Sequence, residues 1–219
     1  MSIVRKKNRG SSADTRDAWR ATYEKTPYHE LPWFEEGPSR PVKLAVQERF
    51  LPSGGGVLDV GCGAGSNVLY LAKSGYRAHG VDLSPGAVSA ARARAAESHL
   101  DVDIQEGDAL ALRFPNGGLD GVNDHGCFHT LPFSRRRDYA REIHRVLRPG
   151  GSFVLSWVAR EWTGDMGPPH RPSLQEVATL FEPQFLFTRT GFYPPGEESG
   201  PSSYFGFLVR RDRAQPPRR

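Results

Sequence analysis

A glycine-rich turn between two apolar runs constrains this chain more than any other feature. Residues 57 to 65 read Val-Leu-Asp-Val-Gly-Cys-Gly-Ala-Gly, and the next apolar run, residues 78–81, is followed by Asp82. Glycines lack a Cβ, so such a turn can take left-handed conformations and let a ligand approach the backbone. The helix predicted next, residues 66–74, would point its free N–H groups into the same crevice. The pattern predicts a strand, a glycine turn, a helix and a second strand that ends in a carboxylate.

Two kinds of nucleoside cofactor fit such a unit, and the glycine spacing separates them. Asp82 lies 21 residues after Gly61, which suits a carboxylate that accepts hydrogen bonds from both ribose hydroxyls. A dinucleotide fingerprint would place its third glycine at position 66, where this chain has Ser66. Asp59 would repel a pyrophosphate beside the turn, but it would attract the ammonium group of an amino acid directly or through water. These residues favour S-adenosylmethionine over NAD.

The order of apolar runs predicts an α/β fold. Strand-like runs that alternate with helical patterns predict a parallel sheet with helices on both faces. Residues 184–190 and 204–210 are further β-rich runs separated by a Pro/Gly loop, which predicts a terminal antiparallel pair. A helix capped by Ser134 is predicted to run to about Leu147, before a fifth strand at 152–158.

Length and composition predict one domain. A chain of 219 residues suits a single unit over 15–210, in which residues 15–50 form an N-terminal helical lid with a break at Leu31-Pro32. The basic ends, 1–14 and 211–219, are predicted to be disordered, so the net charge of +4 does not indicate a nucleic-acid partner. No stretch approaches the roughly 18 apolar residues that a membrane span needs. Two cysteines predict no disulfide framework and a reducing, cytoplasmic location.

Segments along roughly residues 19–210 carry a resemblance to a known family. They are the glycine motif 57–65, Asp82-Leu83-Ser84-Pro85, Gly107-Asp108-Ala109 and Leu147-Arg148-Pro149-Gly150-Gly151. In this order and spacing they resemble the class I S-adenosylmethionine-dependent methyltransferases. Residues 32–35 and 124–129 further resemble the branch with thiopurine S-methyltransferase and related small-molecule thiol, halide and metalloid methyltransferases. The resemblance implies a Rossmann-like three-layer sandwich with a seven-stranded, mostly parallel sheet.

The resemblance also implies that cofactor-binding residues gather at the carboxyl edge of the sheet. Asp82 is the expected ribose ligand, with a helix cap as the alternative, and Asp108 is the expected adenine ligand, with an Asx turn as the alternative. Asp59 is expected to bind the amino group, to bond to the turn backbone, or both. Trp33 is expected either to close over the sulfonium by stacking or cation–π attraction, or only to pack within the lid. The complete predicted set is Trp33, Asp59, Gly61, Cys62, Gly63, Asp82, Leu83, Asp108, Ala109, Asp124 and His125.

Residues 124–129 follow the fourth predicted strand and contain the predicted catalytic residues. The backbone at Asp124 and His125 is expected beside the methionine part of the cofactor. His129 is the predicted base for an acceptor hydroxyl, with a structural histidine at a helix end as the alternative, and Asp124 is the second predicted catalytic residue. The predicted substrate contacts are Phe34, Phe128, Trp157, Trp162 and Arg171.

The implied reaction is an in-line SN2 transfer of a methyl group to a small-molecule acceptor, with S-adenosylhomocysteine as the product. A thiol or heterocyclic sulfur is the predicted acceptor, because a thiol with a pKa of about 8.5 needs little base catalysis. The alternatives are methylation of a hydroxyl or amine of a natural product, and a non-catalytic cofactor-binding role. The histidines and acids do not fall at metal-ligand spacing, which argues against a metal site.

Overall fold

Seven strands form one sheet, and six α-helices accompany it, in the parts of the chain that the structure describes. This structure is a computed structural model that describes residues 12–161, 171–195 and 201–212. The strands are β1 (Gly56–Val60), β2 (Arg77–Asp82), β3 (Asp103–Glu106), β4 (Leu119–His125), β5 (Leu147–Val158), β6 (Phe185–Tyr193) and β7 (Ser203–Arg210). The helices are α1 (Ser12–Lys25), α2 (Arg40–Gln47), α3 (Ser66–Lys73), α4 (Pro85–Glu97), α5 (Arg136–Val146) and α6 (Leu174–Phe181).

The strand order β3-β2-β1-β4-β5-β7-β6 creates a crevice between β1 and β4. Strands β1 to β5 pair in parallel, whereas β7 runs antiparallel to both β5 and β6. The chain moves outward from β1 to β3 and then returns to the other side of β1, so the loops after β1 and β4 diverge. The mostly parallel sheet and its terminal antiparallel pair confirm the predicted fold class.

Two buried apolar clusters flank the sheet and make three layers. All five residues of β1 are buried, as expected for a central strand covered on both faces. One cluster joins the sheet to α5 and α6 through Tyr139, Ile143 and Phe181. The other joins it to α3 and α4 through Leu69 and Ala91. This packing holds the carboxyl ends of the central strands, and the loops that follow them, in a fixed relation.

The N-terminal segment is less helical than the sequence predicts. Between α1 and α2, residues 26–39 contain one short 3-10 helix, Tyr28–Glu30, instead of a break confined to Leu31-Pro32. Most of the predicted disordered ends, residues 1–11 and 213–219, lies outside the described residues. No described helix is long and apolar enough to cross a membrane.

The starts of α5 and β5 differ from the predicted boundaries. Helix α5 begins at Arg136, because Ser134 lies within a preceding 3-10 helix rather than at the helix N-cap. Strand β5 begins at Leu147, which already pairs with Leu119 before a shift in register. Gly150 has a φ of +70°, which glycine adopts without strain, so the strand continues through the predicted Pro-Gly-Gly turn.

Candidate cofactor and acceptor site

The turn after β1 needs its glycines. Gly61 and Gly63 have φ angles of +67° and +54°, in the left-handed region. The N–H groups of Gly61 and Cys62 donate to the carbonyl of Val81 at 2.7 and 3.1 Å, which ties the turn to β2. A Cβ at Gly61 would lie 2.6 Å from the Cβ of Cys127, on the loop after β4. The turn therefore sits against both neighbouring strands, in a space that a side chain would fill.

Asp82, at the end of β2, joins this turn and keeps room for a ligand. Its Oδ2 accepts a hydrogen bond from the Gly63 N–H, and its Oδ1 accepts one from the Ser84 N–H, both at 2.9 Å. Each carboxylate oxygen can accept a second hydrogen bond, as two ribose hydroxyls would require. Burial raises the pKa of Asp82, and the backbone N–H groups oppose this rise. Capping of α4 falls instead to Ser84, whose hydroxyl accepts from the Ala87 N–H at 3.5 Å.

Asp59 and Asn123 form a buried polar pair between β1 and β4. Both residues are 1% exposed, and the Asn123 amide donates to Asp59 Oδ1 at 2.7 Å. Asp59 Oδ2 and Asn123 Oδ1 make no hydrogen bond within the described residues. Both oxygens are closed off from solvent, and the contact of Asp59 to an amino group, direct or through water, stays a prediction. Burial raises the pKa of Asp59 to about 7, and the Asn123 amide opposes this rise.

Replacing Asp59 with asparagine should therefore change how stability depends on pH. The pKa of Asp59 rises from an ordinary 3.8 to about 7 on folding, so the stability from its protonation is present below pH 4 and lost as the pH rises through 7. Asp59→Asn cannot ionise. We expect the free energy of unfolding of this variant, relative to the wild type, to be higher at pH 8 than at pH 5. The difference between the two pH values should be on the order of 2–3 kcal/mol, measured by urea unfolding. The exposed Asp101→Asn is the control, and an equal difference at both pH values for Asp59→Asn would contradict the prediction.

The carboxylate of Asp124 binds the loop after β4. Its fully buried carboxylate accepts from the N–H groups of Cys127 and Phe128 at 2.8 and 2.9 Å and from the Tyr139 hydroxyl. Burial raises the pKa of Asp124 to about 7, and these hydrogen bonds oppose the rise. The geometry does not support a catalytic side chain at Asp124, because its oxygens are occupied in holding the loop. Cofactor contacts by the Asp124 and His125 backbone stay a prediction.

His129 is a structural histidine in this arrangement. It is 9% exposed, and its Nδ1 accepts a hydrogen bond from the Val158 N–H at 3.0 Å. Burial lowers the pKa of His129 to about 3, and the neighbouring His125, Arg136 and Arg171 lower it further. With Nδ1 as the acceptor, a neutral ring carries its proton on Nε2 and has no lone pair left for an incoming proton. The geometry supports the helix-end alternative over the predicted base.

The predicted substrate aromatics divide between the core and the lid. Phe128 and Trp157 are 0% and 1% exposed, so they belong to the core rather than to an acceptor pocket. Phe34 is half-buried against Tyr28 at 5.1 Å between ring centroids. Arg171 is half-buried just before α6, and Trp162 lies outside the described residues.

The remaining predicted cofactor residues have contacts within the protein. Asp108 Oδ1 accepts from the Leu110 N–H at 2.9 Å, which is the Asx turn given as its alternative. The carbonyl of Leu83 accepts from the Arg20 guanidinium at 3.5 Å, and Ala109 packs against the core. Cys62 is buried, and burial raises the pKa of its thiol well above the ordinary value. Cys62 therefore contributes packing and does not act as a nucleophile.

Tyr23 of α1 lies over the glycine turn, and sequence reasoning did not assign it to the site. A Cβ on Gly63 would lie 2.9 Å from the Tyr23 hydroxyl, which also accepts from the Trp33 indole N–H at 3.4 Å. Burial raises the pKa of Tyr23 to about 12, and the charge of Asp82 adds to this rise. The signal that could have found it is the helical spacing of Trp19 and Tyr23, which places both on one face of α1.

Arg94 of α4 fastens the segment before α2 to the glycine turn, and it was also missed. Its guanidinium donates to the carbonyl of Ala64 at 2.7 Å, to the hydroxyl of Ser66 at 3.2 Å and to the carboxylate of Glu36 at 2.9 Å. The same group lies 5.1 Å from the centroid of the Phe34 ring. Arg94 lies in an alanine-rich helix, where an arginine is expected on the solvent-exposed face. The local sequence therefore does not indicate this role.

Comparisons with known proteins agree on a family. A family described as "Methyltransferase domain" matches residues 57–151. The chain is 33% identical over 132 residues to 2-heptyl-1-hydroxyquinolin-4(1H)-one methyltransferase of Mycobacteroides abscessus, and the match spans 58% of each protein. It is 32% identical over 146 residues to an uncharacterized methyltransferase of Synechocystis sp., across 62% of this chain and 67% of that protein. The match thus spans less than two thirds of the quinolone relative's length.

Solved structures share the fold over most of the chain. One is described as "Conversion of a Disulfide Bond into a Thioacetal Group during Echinomycin Biosynthesis"; it has a TM-score of 0.78 and 25% identity, across 90% of this chain and 92% of that one. Another is a 1,6-didemethyltoxoflavin-N1-methyltransferase of Burkholderia thailandensis with bound 1,6-didemethyltoxoflavin and S-adenosylhomocysteine. It has a TM-score of 0.71 and 23% identity, across 90% of this chain and 87% of that one. At 23% identity, the similarity to this second structure supports a shared fold and nothing more.

Proposed function

We propose that this chain, which belongs to the S-adenosylmethionine-dependent methyltransferase family, moves a methyl group from S-adenosylmethionine to a small-molecule acceptor. The observation that carries the proposal is the crevice between β1 and β4, where the glycine turn and Asp82 meet. A Cβ at Gly61 would clash with Cys127 of the loop after β4, so only glycine lets the turn and this loop pack together at the edge of the crevice. Asp82 binds the turn through Gly63 and can still accept two ribose hydroxyls.

The residues present fit the cofactor. Asp82 would hold the ribose, the backbone of Asp108 and Ala109 would border the adenine, and the buried Asp59 would act on the amino group through water. Tyr23 would cover the turn from above and help to exclude solvent. When bound, the cofactor supplies a methyl group already activated by a sulfonium. The protein then has to align the acceptor, which can lower a barrier by on the order of 7–11 kcal/mol in the best cases.

Two acceptor classes are supported by different comparisons. A sulfur acceptor, which the sequence favours, is supported by the structural neighbour described as converting a disulfide bond into a thioacetal group. A hydroxyl on a heterocycle is supported by the relative named for 2-heptyl-1-hydroxyquinolin-4(1H)-one. A thiol and a heterocyclic hydroxyl each carry an ionisable proton, and the thiol loses its proton with less help from a base.

The test has a binding step and a turnover step. Calorimetry with S-adenosylmethionine, S-adenosylhomocysteine and NADH should show micromolar binding of the two S-adenosyl compounds and none of NADH. Formation of S-adenosylhomocysteine is then measured with 2-heptyl-1-hydroxyquinolin-4(1H)-one and with 4-nitrothiophenol as probes, and we expect turnover with at least one of them. Absence of binding would overturn the cofactor assignment. Tight binding without turnover of either probe would favour the non-catalytic role.

A further inference from the structure

His125 is the exposed end of an otherwise largely buried strand. It closes β4 at the carboxyl edge of the sheet, and it is exposed although the four residues before it are buried. Glu35, from the segment before α2, faces it and acts on its charge, and Glu35 is held at the glycine turn because its carbonyl accepts from the Ser66 hydroxyl. The imidazole thus lies between β5 and the lid, beside the crevice.

The two contacts of Ser156 favour one tautomer of the His125 ring. Ser156 is 3% exposed, and its Oγ lies 2.7 Å from His125 Nδ1. The same hydroxyl donates its one proton to the carbonyl of Asp124 at 3.3 Å. Both contacts are hydrogen bonds only when Nδ1–H donates to Ser156 Oγ, because a hydroxyl has one proton to give. In that arrangement His125 Nε2 keeps its lone pair.

The surroundings of His125 favour its neutral form. The residue is exposed to solvent, yet enough protein lies around it to desolvate the imidazole. Burial lowers the pKa of His125, while the carboxylate of Glu35 opposes this effect. The other ionisable neighbours are His129, which is neutral, and Asp124, whose carboxylate is turned toward Cys127, Phe128 and Tyr139. A neutral imidazole is the form that can accept a proton.

We propose that His125 is the catalytic base for a hydroxyl acceptor and that Ser156 is its positioning residue. The inference rests on the proposed function and concerns the acceptor side of the same crevice. The proton of the acceptor hydroxyl moves to His125 Nε2, and an oxygen lone pair forms the bond to the methyl carbon. The carbon–sulfur bond breaks at the same time, with its electron pair left on sulfur. Glu35 stabilises the imidazolium until its proton leaves to solvent.

This assignment names the substrate class. A phenolic or N-hydroxy group that is still protonated at neutral pH gains from a base, typically by 10²- to 10⁴-fold. An aromatic thiol ionises with little help, so its methylation depends less on His125. The structure therefore points to weakly acidic hydroxyls on aromatic or heterocyclic molecules as the acceptors that this crevice is built to handle.

The tautomer of His125 tests the inference without turnover. Nitrogen-15 NMR of the complex with S-adenosylhomocysteine at pH 7 should show His125 neutral, with its proton on Nδ1. In Ser156→Ala the two tautomers should mix, because the partner that selects Nδ1–H is gone. A His125 ring that carries its proton on Nε2, or that is cationic at pH 7, would overturn the proposal even if methyl transfer is observed.

Turnover of the two probes separates the base from the cofactor site. His125→Gln should bind S-adenosylhomocysteine within about threefold of the wild type and methylate the quinolone hydroxyl at least about 100-fold more slowly, with a much smaller loss for 4-nitrothiophenol. Imidazole should partly restore His125→Ala, and Ser156→Ala should shift the pH profile of the hydroxyl reaction. His99→Asn, outside the site, is the control. An unchanged rate of hydroxyl methylation in His125→Gln would contradict the assignment of His125 as the base. Absence of cofactor binding by the wild type would instead contradict the proposed function.

Discussion

Asp82→Ala is expected to weaken the binding of S-adenosylhomocysteine by about 100-fold or more. Two ribose hydroxyls would donate to this carboxylate, and hydrogen bonds to a charged group contribute roughly 1.5–3 kcal/mol each. A loss of about 2.8 kcal/mol corresponds to 100-fold in affinity. The substitution also removes the acceptor for the Gly63 and Ser84 N–H groups, so the turn itself loosens. Isothermal calorimetry on the folded variant measures the loss directly.

Matched variants distinguish a ligand contact from a general disturbance at Asp82. Asp82→Asn keeps the shape and one acceptor oxygen, so its loss should be intermediate, about tenfold. Asp138→Ala removes a half-exposed acid of α5 whose ion pairs are with Arg135 and Arg141, and it should leave affinity unchanged. If Asp82→Ala binds S-adenosylhomocysteine within threefold of the wild type, the ribose assignment is wrong.

Arg94→Met is expected to cost roughly 2–3 kcal/mol of stability and to weaken cofactor binding about tenfold. The buried guanidinium satisfies the carbonyl of Ala64, and a buried carbonyl left without a partner costs about 1–3 kcal/mol. The variant also loses the cation–π contact with Phe34, worth about 0.5–1 kcal/mol. Because the same side chain binds the segment before α2 and the glycine turn, the lid and the cofactor loop should loosen together. Urea unfolding and calorimetry measure the two effects.

The partner of Arg94 provides the control. The side chain of Glu36 is 83% exposed, so its ion pair with Arg94 is largely screened by solvent and contributes at most about 1 kcal/mol. Glu36→Gln should therefore be nearly as stable as the wild type and bind S-adenosylhomocysteine normally. Equal losses in Arg94→Met and Glu36→Gln would show that the ion pair, and not the contacts to Ala64 and Phe34, fastens the lid.

Local patterns in the sequence predicted most of the fold. The apolar run of β1, the glycine turn after it and the Ser84-Pro85 start of α4 depend on neighbours within a few residues, so their structure follows from propensity and capping. The less accurate predictions lie where long-range pairing acts. Strand β5 extends back to Leu147 because Leu119 is there to pair with it.

The candidate site was predicted by position but not by side-chain direction. Residues 124–129 were placed at the crevice because they follow a strand at the carboxyl edge of the sheet. Which of the two histidines faces the crevice depends on partners from β5: Val158 holds His129 inward, and Ser156 holds His125 at the edge. Those partners lie about 30 residues further along the chain, and no local spacing records them.

The amino-acid sequence was sufficient to predict an α/β fold, its glycine turn and the acid at the end of β2, because these depend on periodicity, glycine content and spacing along the chain. Packing between distant segments decided the rest. It turned Asp124 and His129 into structural groups, left His125 exposed at the end of β4, and brought Tyr23 and Arg94 to the turn. Burial and hydrogen-bond partners set these roles, and both arise only when elements far apart in sequence come together.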